Sequence, residues 1–108
     1  ASGTLESHYA PKAKVRLMTS GEWQQALQAL GPHAQNLALW SVQKPSYELM
    51  GSGLLWHAMP KDATHAAHDL FSVLRDFDSR GVQTIWIETP PQTPDWEGVR
   101  DRLNRAAA

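Results

Sequence analysis

Residues 62–88 read DATHAAHDLFSVLRDFDSRGVQTIWIE, and this stretch decides the fold. Its first part predicts a helix over residues 62–80, because apolar residues recur at helical spacing and form one continuous stripe. The stripe consists of Ala63, Ala66, Ala67, Leu70, Phe71, Leu74 and Phe77. Gly81 is a typical residue to end such a helix. Residues 84–88 are rich in β-forming side chains and predict a strand.

The segments on either side continue the alternation of strands and helices. Further strands are predicted over residues 14–18, 36–42 and 54–59, and the second of these is apolar on both faces, as in a strand covered on both sides. Thr19 and Glu22 predict a capping box for a helix that ends at Gly31. Thr93 and Pro94 predict the start of a last helix. The sequence therefore predicts an α/β sandwich with a mostly parallel sheet of about four to five strands.

Composition restricts the classes of function. The chain has 108 residues, five tryptophans and 42% hydrophobic residues, which is enough for one domain with a packed core. Its formal net charge of −1 gives no overall attraction to nucleic acid or to an anionic membrane. The absence of cysteine excludes disulfides, thiolate metal sites and a cysteine nucleophile. We expect a cytoplasmic protein without a membrane span and without direct binding to nucleic acid.

The chain divides into an arm and a domain. Residues 1–13 lack apolar periodicity and predict an extended linker, whereas residues 14–108 form the α/β domain. The arm carries hydroxyl, imidazole, phenol and ammonium groups that suit contact with a polyphosphate: Ser7, His8, Tyr9 and Lys12. Taken alone, this cluster is also compatible with a solvated linker.

Three of the five histidines raise the question of a metal site. His65 and His68 lie one helical turn apart with Asp69 beside them, and His57 precedes them at a strand end. The pair points away from the apolar stripe and has no defined third ligand, so a polar helix face is the preferred interpretation and no metal site is predicted. Gly51 and Gly53 precede a strand and do not form a phosphate-binding loop. Residues 44–53 are predicted to form a loop.

Two stretches carry a resemblance to a known family. Residues 2–13, with the core His8-Tyr9-Ala10-Pro11, resemble the interdomain linker of the two-domain threonylcarbamoyl-AMP synthases. A second set of matches resembles the C-terminal domain of that family in order and spacing: residues 66–78, residues 85–88 with Pro90 and Pro91, then Trp96 and residues 101–107. Residues 43–56 carry no matching motif.

The resemblance implies a Rossmann-like accessory domain joined to an N-terminal YrdC-like catalytic domain. It implies that the parent enzyme makes threonylcarbamoyl-AMP from threonine, bicarbonate and ATP, with Mg, for modification of the adenosine next to certain tRNA anticodons. By the same resemblance Ser7, His8, Tyr9 and Lys12 belong to a lid, and this chain has no catalytic residue, binds no cofactor and is inactive alone. The alternative is a stand-alone α/β module that binds a small ligand or a protein at the carboxyl ends of its strands.

Overall fold

The computed structural model describes residues 10–31, 34–46 and 53–108. Chain order alternates strands with helices, as the sequence predicts. The elements are β1 (Lys14–Met18), α1 (Ser20–Leu30), β2 (Leu37–Ser41), β3 (Leu55–Ala58), α2 (Ala63–Ser79), β4 (Thr84–Glu88), a short 3-10 helix (Pro94–Trp96) and α3 (Glu97–Ala107). Each predicted element is present; β1 and β4 have the predicted bounds, and the bounds of the other elements differ by at most three residues.

The four strands form one sheet in the order β1-β4-β2-β3, and every neighbouring pair is parallel. β4 therefore lies between β1 and β2, although it is the last strand along the chain. β2 is fully buried along its length, which confirms that the apolar run in this segment belongs to an inner strand. The prediction of a small Rossmann-like α/β fold with a largely parallel sheet is confirmed, with four strands in the described part.

Helices cover both faces of the sheet, but unequally. On one face, here called the two-helix face, α2 and α3 pack against apolar residues of β1, β2 and β4: Val15, Leu17, Ala38, Trp40, Ile85 and Ile87. On the other, the one-helix face, α1 packs Trp23 and Leu27 against Leu37, Leu39 and Trp86. The chain thus forms a three-layer sandwich with two separate apolar clusters.

Alternation along the strands gives the two faces different chemistry. Because successive side chains of a strand point to opposite faces, the polar residues of β1, β2 and β4 all share the one-helix face with Trp86. These residues are Lys14, Arg16, Ser41, Thr84 and Glu88. The two-helix face of the same three strands is entirely apolar. Polar groups that could bind a ligand from the sheet are therefore concentrated beside α1.

Local signals explain the helix ends. Thr19 accepts a hydrogen bond from the Glu22 backbone N–H at 3.2 Å, and the Glu22 carboxylate accepts one from the Thr19 N–H at 2.7 Å, so the predicted capping box is confirmed. α2 begins after Asp62, whose carboxylate accepts from the His65 N–H. Gly81 follows α2 with a φ of 79°, a conformation that favours glycine. Thr93 precedes the 3-10 helix without a side-chain cap.

Candidate functional site

The base of the arm is fastened to the end of α2. The Asp78 carboxylate accepts hydrogen bonds from two consecutive backbone N–H groups, Lys12 at 3.0 Å and Ala13 at 3.1 Å. Ala13 is buried in the core of the two-helix face, and the Lys14 N–H donates to the Gln83 carbonyl at 2.9 Å. Three successive residues are thus held by partners that lie more than sixty residues away in sequence.

Of the four predicted lid residues, Ser7, His8, Tyr9 and Lys12, Lys12 alone lies within the described residues. Its side chain is exposed, while its backbone forms the contact with Asp78. Ser7, His8 and Tyr9 lie outside the described residues, so their predicted role in a lid stays a prediction. The sequence analysis did not predict a role for Asp78, although a signal was present. A carboxylate at the C-terminal end of a helix interacts unfavourably with the helix dipole, so a nearby hydrogen-bond donor is expected to compensate for it.

A network of indole hydrogen bonds lies at the carboxyl ends of the strands on the one-helix face. Trp23 Nε1 donates to the Glu88 carboxylate at 3.0 Å. Trp56 Nε1 donates to Ser41 Oγ at 3.0 Å, and Ser41 Oγ donates in turn to the Gln43 carbonyl at 2.7 Å. Ser41 has no exposed surface. Since buried polar groups require partners, these bonds fix the course of the chain as it leaves β2.

A cavity of about 200 Å³ lies between α1 and the segment that follows β2. Trp23 forms part of its lining, Gln24 and Gln28 line the side of α1, and residues 43–46 line the opposite side. Gln24 Nε2 donates to Gln43 Oε1 at 3.1 Å, which joins the two sides. The Lys44 ammonium lies 5.8 Å from the centre of the Trp56 ring, a cation–π contact. Sequence reasoning assigned this segment only to a loop.

The histidines are held by carboxylates on the exposed surface of α2. His65 Nδ1 lies 2.7 Å and 2.8 Å from the two Asp62 carboxylate oxygens, and His68 Nδ1 lies 3.2 Å from Asp69. His57 instead stands edge-on to Phe77 at the two-helix face. Within residues 10–31, 34–46 and 53–108, no group of three or more potential ligand side chains is placed to hold a metal ion.

Two carboxylates at helix starts have lowered pKa values. Hydrogen bonding from the His65 backbone N–H, followed by the His65 side chain, lowers the pKa of Asp62. Hydrogen bonding from the Thr19 backbone N–H, followed by the Thr19 hydroxyl, lowers the pKa of Glu22. Both groups are exposed and cap helices, so structural roles explain these shifts.

The remaining basic residues also have structural partners or exposed positions. Arg100 donates to the Pro91 carbonyl at 2.6 Å and the Thr93 carbonyl at 2.9 Å, which holds the turn before α3. Arg105 pairs with Asp101 one turn away on the same helix. Along the part of the chain that the structure describes, no helix is both long and apolar enough to cross a membrane.

Comparison with known proteins identifies the family. The family described as threonylcarbamoyl-AMP synthase, C-terminal domain, matches residues 1–108, the whole length of the chain. No significant similarity to a curated protein or to a solved structure was found. The match covers both stretches that carry the resemblance in sequence and the intervening residues 43–56, which carry no motif of their own. The chain therefore belongs to the family of threonylcarbamoyl-AMP synthase C-terminal domains.

Proposed function

We propose that this chain is an accessory domain that carries a lid for the catalytic domain of a threonylcarbamoyl-AMP synthase. In this proposal the parent enzyme condenses threonine, bicarbonate and ATP, with Mg, and releases pyrophosphate. The product is threonylcarbamoyl-AMP for tRNA modification. The arm crosses the opening of a YrdC-like domain, and the α/β domain holds the base of that arm. Family membership supports the enzyme class.

The observation that carries the lid role is the contact of Asp78 with the arm. Two backbone N–H groups donate to one carboxylate, and hydrogen bonds to a charged group each contribute about 1.5–3 kcal/mol. A carboxylate at this end of a helix is disfavoured by the helix dipole, and the two hydrogen bonds from the arm offset that cost. The contact fixes the backbone of Lys12 and Ala13 at the base of the arm.

The side chains of the arm fit the chemistry of such a lid. Ser7, His8 and Tyr9 offer hydrogen-bond donors to phosphate or carbamate oxygens, and Lys12 adds a positive charge. A segment that closes over a site excludes water, which protects intermediates that hydrolyse readily. The arm therefore holds and shields reactants, while the bond-forming groups belong to the catalytic domain.

The test is threonine- and bicarbonate-dependent release of pyrophosphate from ATP by the full-length parent protein. We expect kcat/KM to fall roughly tenfold or more in a form that ends before Ser2 and in Tyr9→Ala, since 1.36 kcal/mol of lost transition-state stabilisation is a factor of ten. The stand-alone alternative predicts that both forms keep full activity. Absence of this activity in the parent would refute the assignment of the enzyme.

Asp78→Ala tests the anchor separately from the chemistry. This substitution removes both acceptors of the arm, so we expect lower kcat/KM at unchanged fold. Asp76→Ala is the matched control, because Asp76 lies on the same helix and its carboxylate pairs with Arg80. Equal activity of the two variants would show that the Asp78 contact does not position the lid.

A further inference from the structure

The cavity beside α1 has walls that are held in place before any ligand binds. On one side, Ser41 Oγ bonds to the Gln43 carbonyl, and Pro45 is buried. On the other side, Gln24 belongs to a capped helix and bonds to the Gln43 side chain. Because these contacts are internal to the domain, a ligand would meet a formed site and would not have to order it.

The described part of the lining carries a positive charge and no acidic residue. Lys44 contacts the Trp56 ring and has no ion pair within the described residues. No Asp or Glu is among the lining residues described, and Glu88 is engaged by the indole of Trp23. The Gln28 amide and the Ser46 hydroxyl also line the cavity and make no side-chain hydrogen bond inside the described part. This set offers one ammonium and several neutral polar groups to a ligand.

The size and position of the cavity restrict the class of ligand that it can bind. At about 200 Å³ the cavity is smaller than the roughly 300–1,000 Å³ pockets that take drug-sized ligands, so it suits a smaller molecule. The cavity adjoins the segment that leaves the carboxyl end of β2, and parallel sheets bind ligands in crevices outside the carboxyl ends of their strands. We propose that this cavity binds a small carboxylate that bears a hydroxyl or amino group.

In this site the carboxylate pairs with the Lys44 ammonium. The hydroxyl or amino group of the ligand bonds to the amide of Gln28 and the hydroxyl of Ser46, and the Trp23 ring forms an apolar wall. This site is independent of the lid proposal, since the lining residues that the structure describes all belong to the α/β domain. It can therefore be tested on this 108-residue chain whether or not the parent is active as proposed.

The test compares two probes of nearly equal shape, sodium lactate and lactamide, which differ in the carboxylate charge. We expect lactate to shift the indole N–H resonances of Trp23 and Trp56 saturably in NMR spectra of the chain. Lactamide should bind at least about tenfold more weakly, because the hydrogen bond to a charged group is lost. Sodium phosphate at equal ionic strength serves as the third probe and distinguishes a carboxylate site from a general anion site, since phosphate would compete with lactate at the latter.

Lys44→Gln keeps a polar side chain and removes the charge, and it should weaken lactate binding by about tenfold. Lys61→Gln, an exposed lysine away from the lining, is the matched control and should leave binding unchanged. The proposal is overturned by equal binding of lactate and lactamide, by competition from phosphate, by wild-type affinity in Lys44→Gln, or by no saturable shift with any probe.

Discussion

The two faces of the sheet differ in composition, although the same strands form both. The two-helix face of β1, β2 and β4 is wholly apolar and is sealed by α2 and α3. On the one-helix face, polar side chains take the place of part of the apolar surface: Lys14, Arg16, Ser41, Thr84 and Glu88. Hydrogen bonds from the indoles of Trp23 and Trp56 engage Glu88 and Ser41, and a cavity lies beside α1 on this face. The two-helix face therefore contributes mainly to stability, whereas the polar groups of these strands that could bind a ligand lie on the one-helix face.

The largest expected effect is on the two-helix face. Leu70→Ala removes a fully buried side chain from α2 and should lower the free energy of unfolding by about 2–5 kcal/mol. Leu30→Ala truncates a partly buried residue on α1 and should cost less, because less apolar area returns to water. Urea unfolding of both variants measures the difference. Equal costs would contradict the expected dependence on burial, and Leu70→Met should stay below about 1.5 kcal/mol.

An intermediate effect is expected at the polar network of the one-helix face. Ser41→Ala removes the acceptor of Trp56 Nε1 and the donor to the Gln43 carbonyl, which should cost about 1–3 kcal/mol. Ser46→Ala changes an exposed serine of the same segment and should stay within about 0.5 kcal/mol. Chemical denaturation of the two variants gives the comparison. A neutral Ser41→Ala would show that water replaces the network at no cost.

The smallest expected effect concerns the way α2 is capped. The pKa of Asp62 is lower in the folded chain, because the His65 N–H groups stabilise the carboxylate. Asp62 therefore stabilises the fold at neutral pH, and this contribution fades once the pH falls to the ordinary aspartate range and is absent below the folded pKa. In Asp62→Asn the melting temperature should fall less between neutral and acidic pH than in the wild type. Asp101→Asn, on α3, is the control, and identical profiles for Asp62→Asn and the wild type would contradict this assignment.

The fold was largely predictable because it depends on patterns that are local in sequence. The stripe of α2, the capping box of α1 and the apolar run of β2 each specify an element without knowledge of the others. The unequal cover of the two faces was not predictable, since it depends on the strand order. The last strand enters the sheet between the first and the second, and no local signal determines that position.

The candidate sites were less predictable for the same physical reason. The bond from Trp56 to Ser41 requires β3 to lie beside β2 in one register, and the bonds from Lys12 and Ala13 to Asp78 join residues at opposite ends of the chain. Neither pairing has a sequence spacing that identifies it. The sequence predicts a loop at Lys44. The cavity exists because Gln24 and Gln28 of α1 lie opposite this loop, and no sequence spacing indicates that proximity.

The central place of β4 has a consequence for biosynthesis. Among the described strands β1 pairs with β4 alone, and β4 also pairs with β2, so neither of these contacts forms until residues 84–88 have left the ribosome. β1 and the arm that precedes it therefore wait while most of the domain is translated, and such long-range pairing slows folding. The nascent chain has an unpaired first strand until its last strand arrives, and insertion of β4 is the step that completes the sheet and aligns the base of the arm.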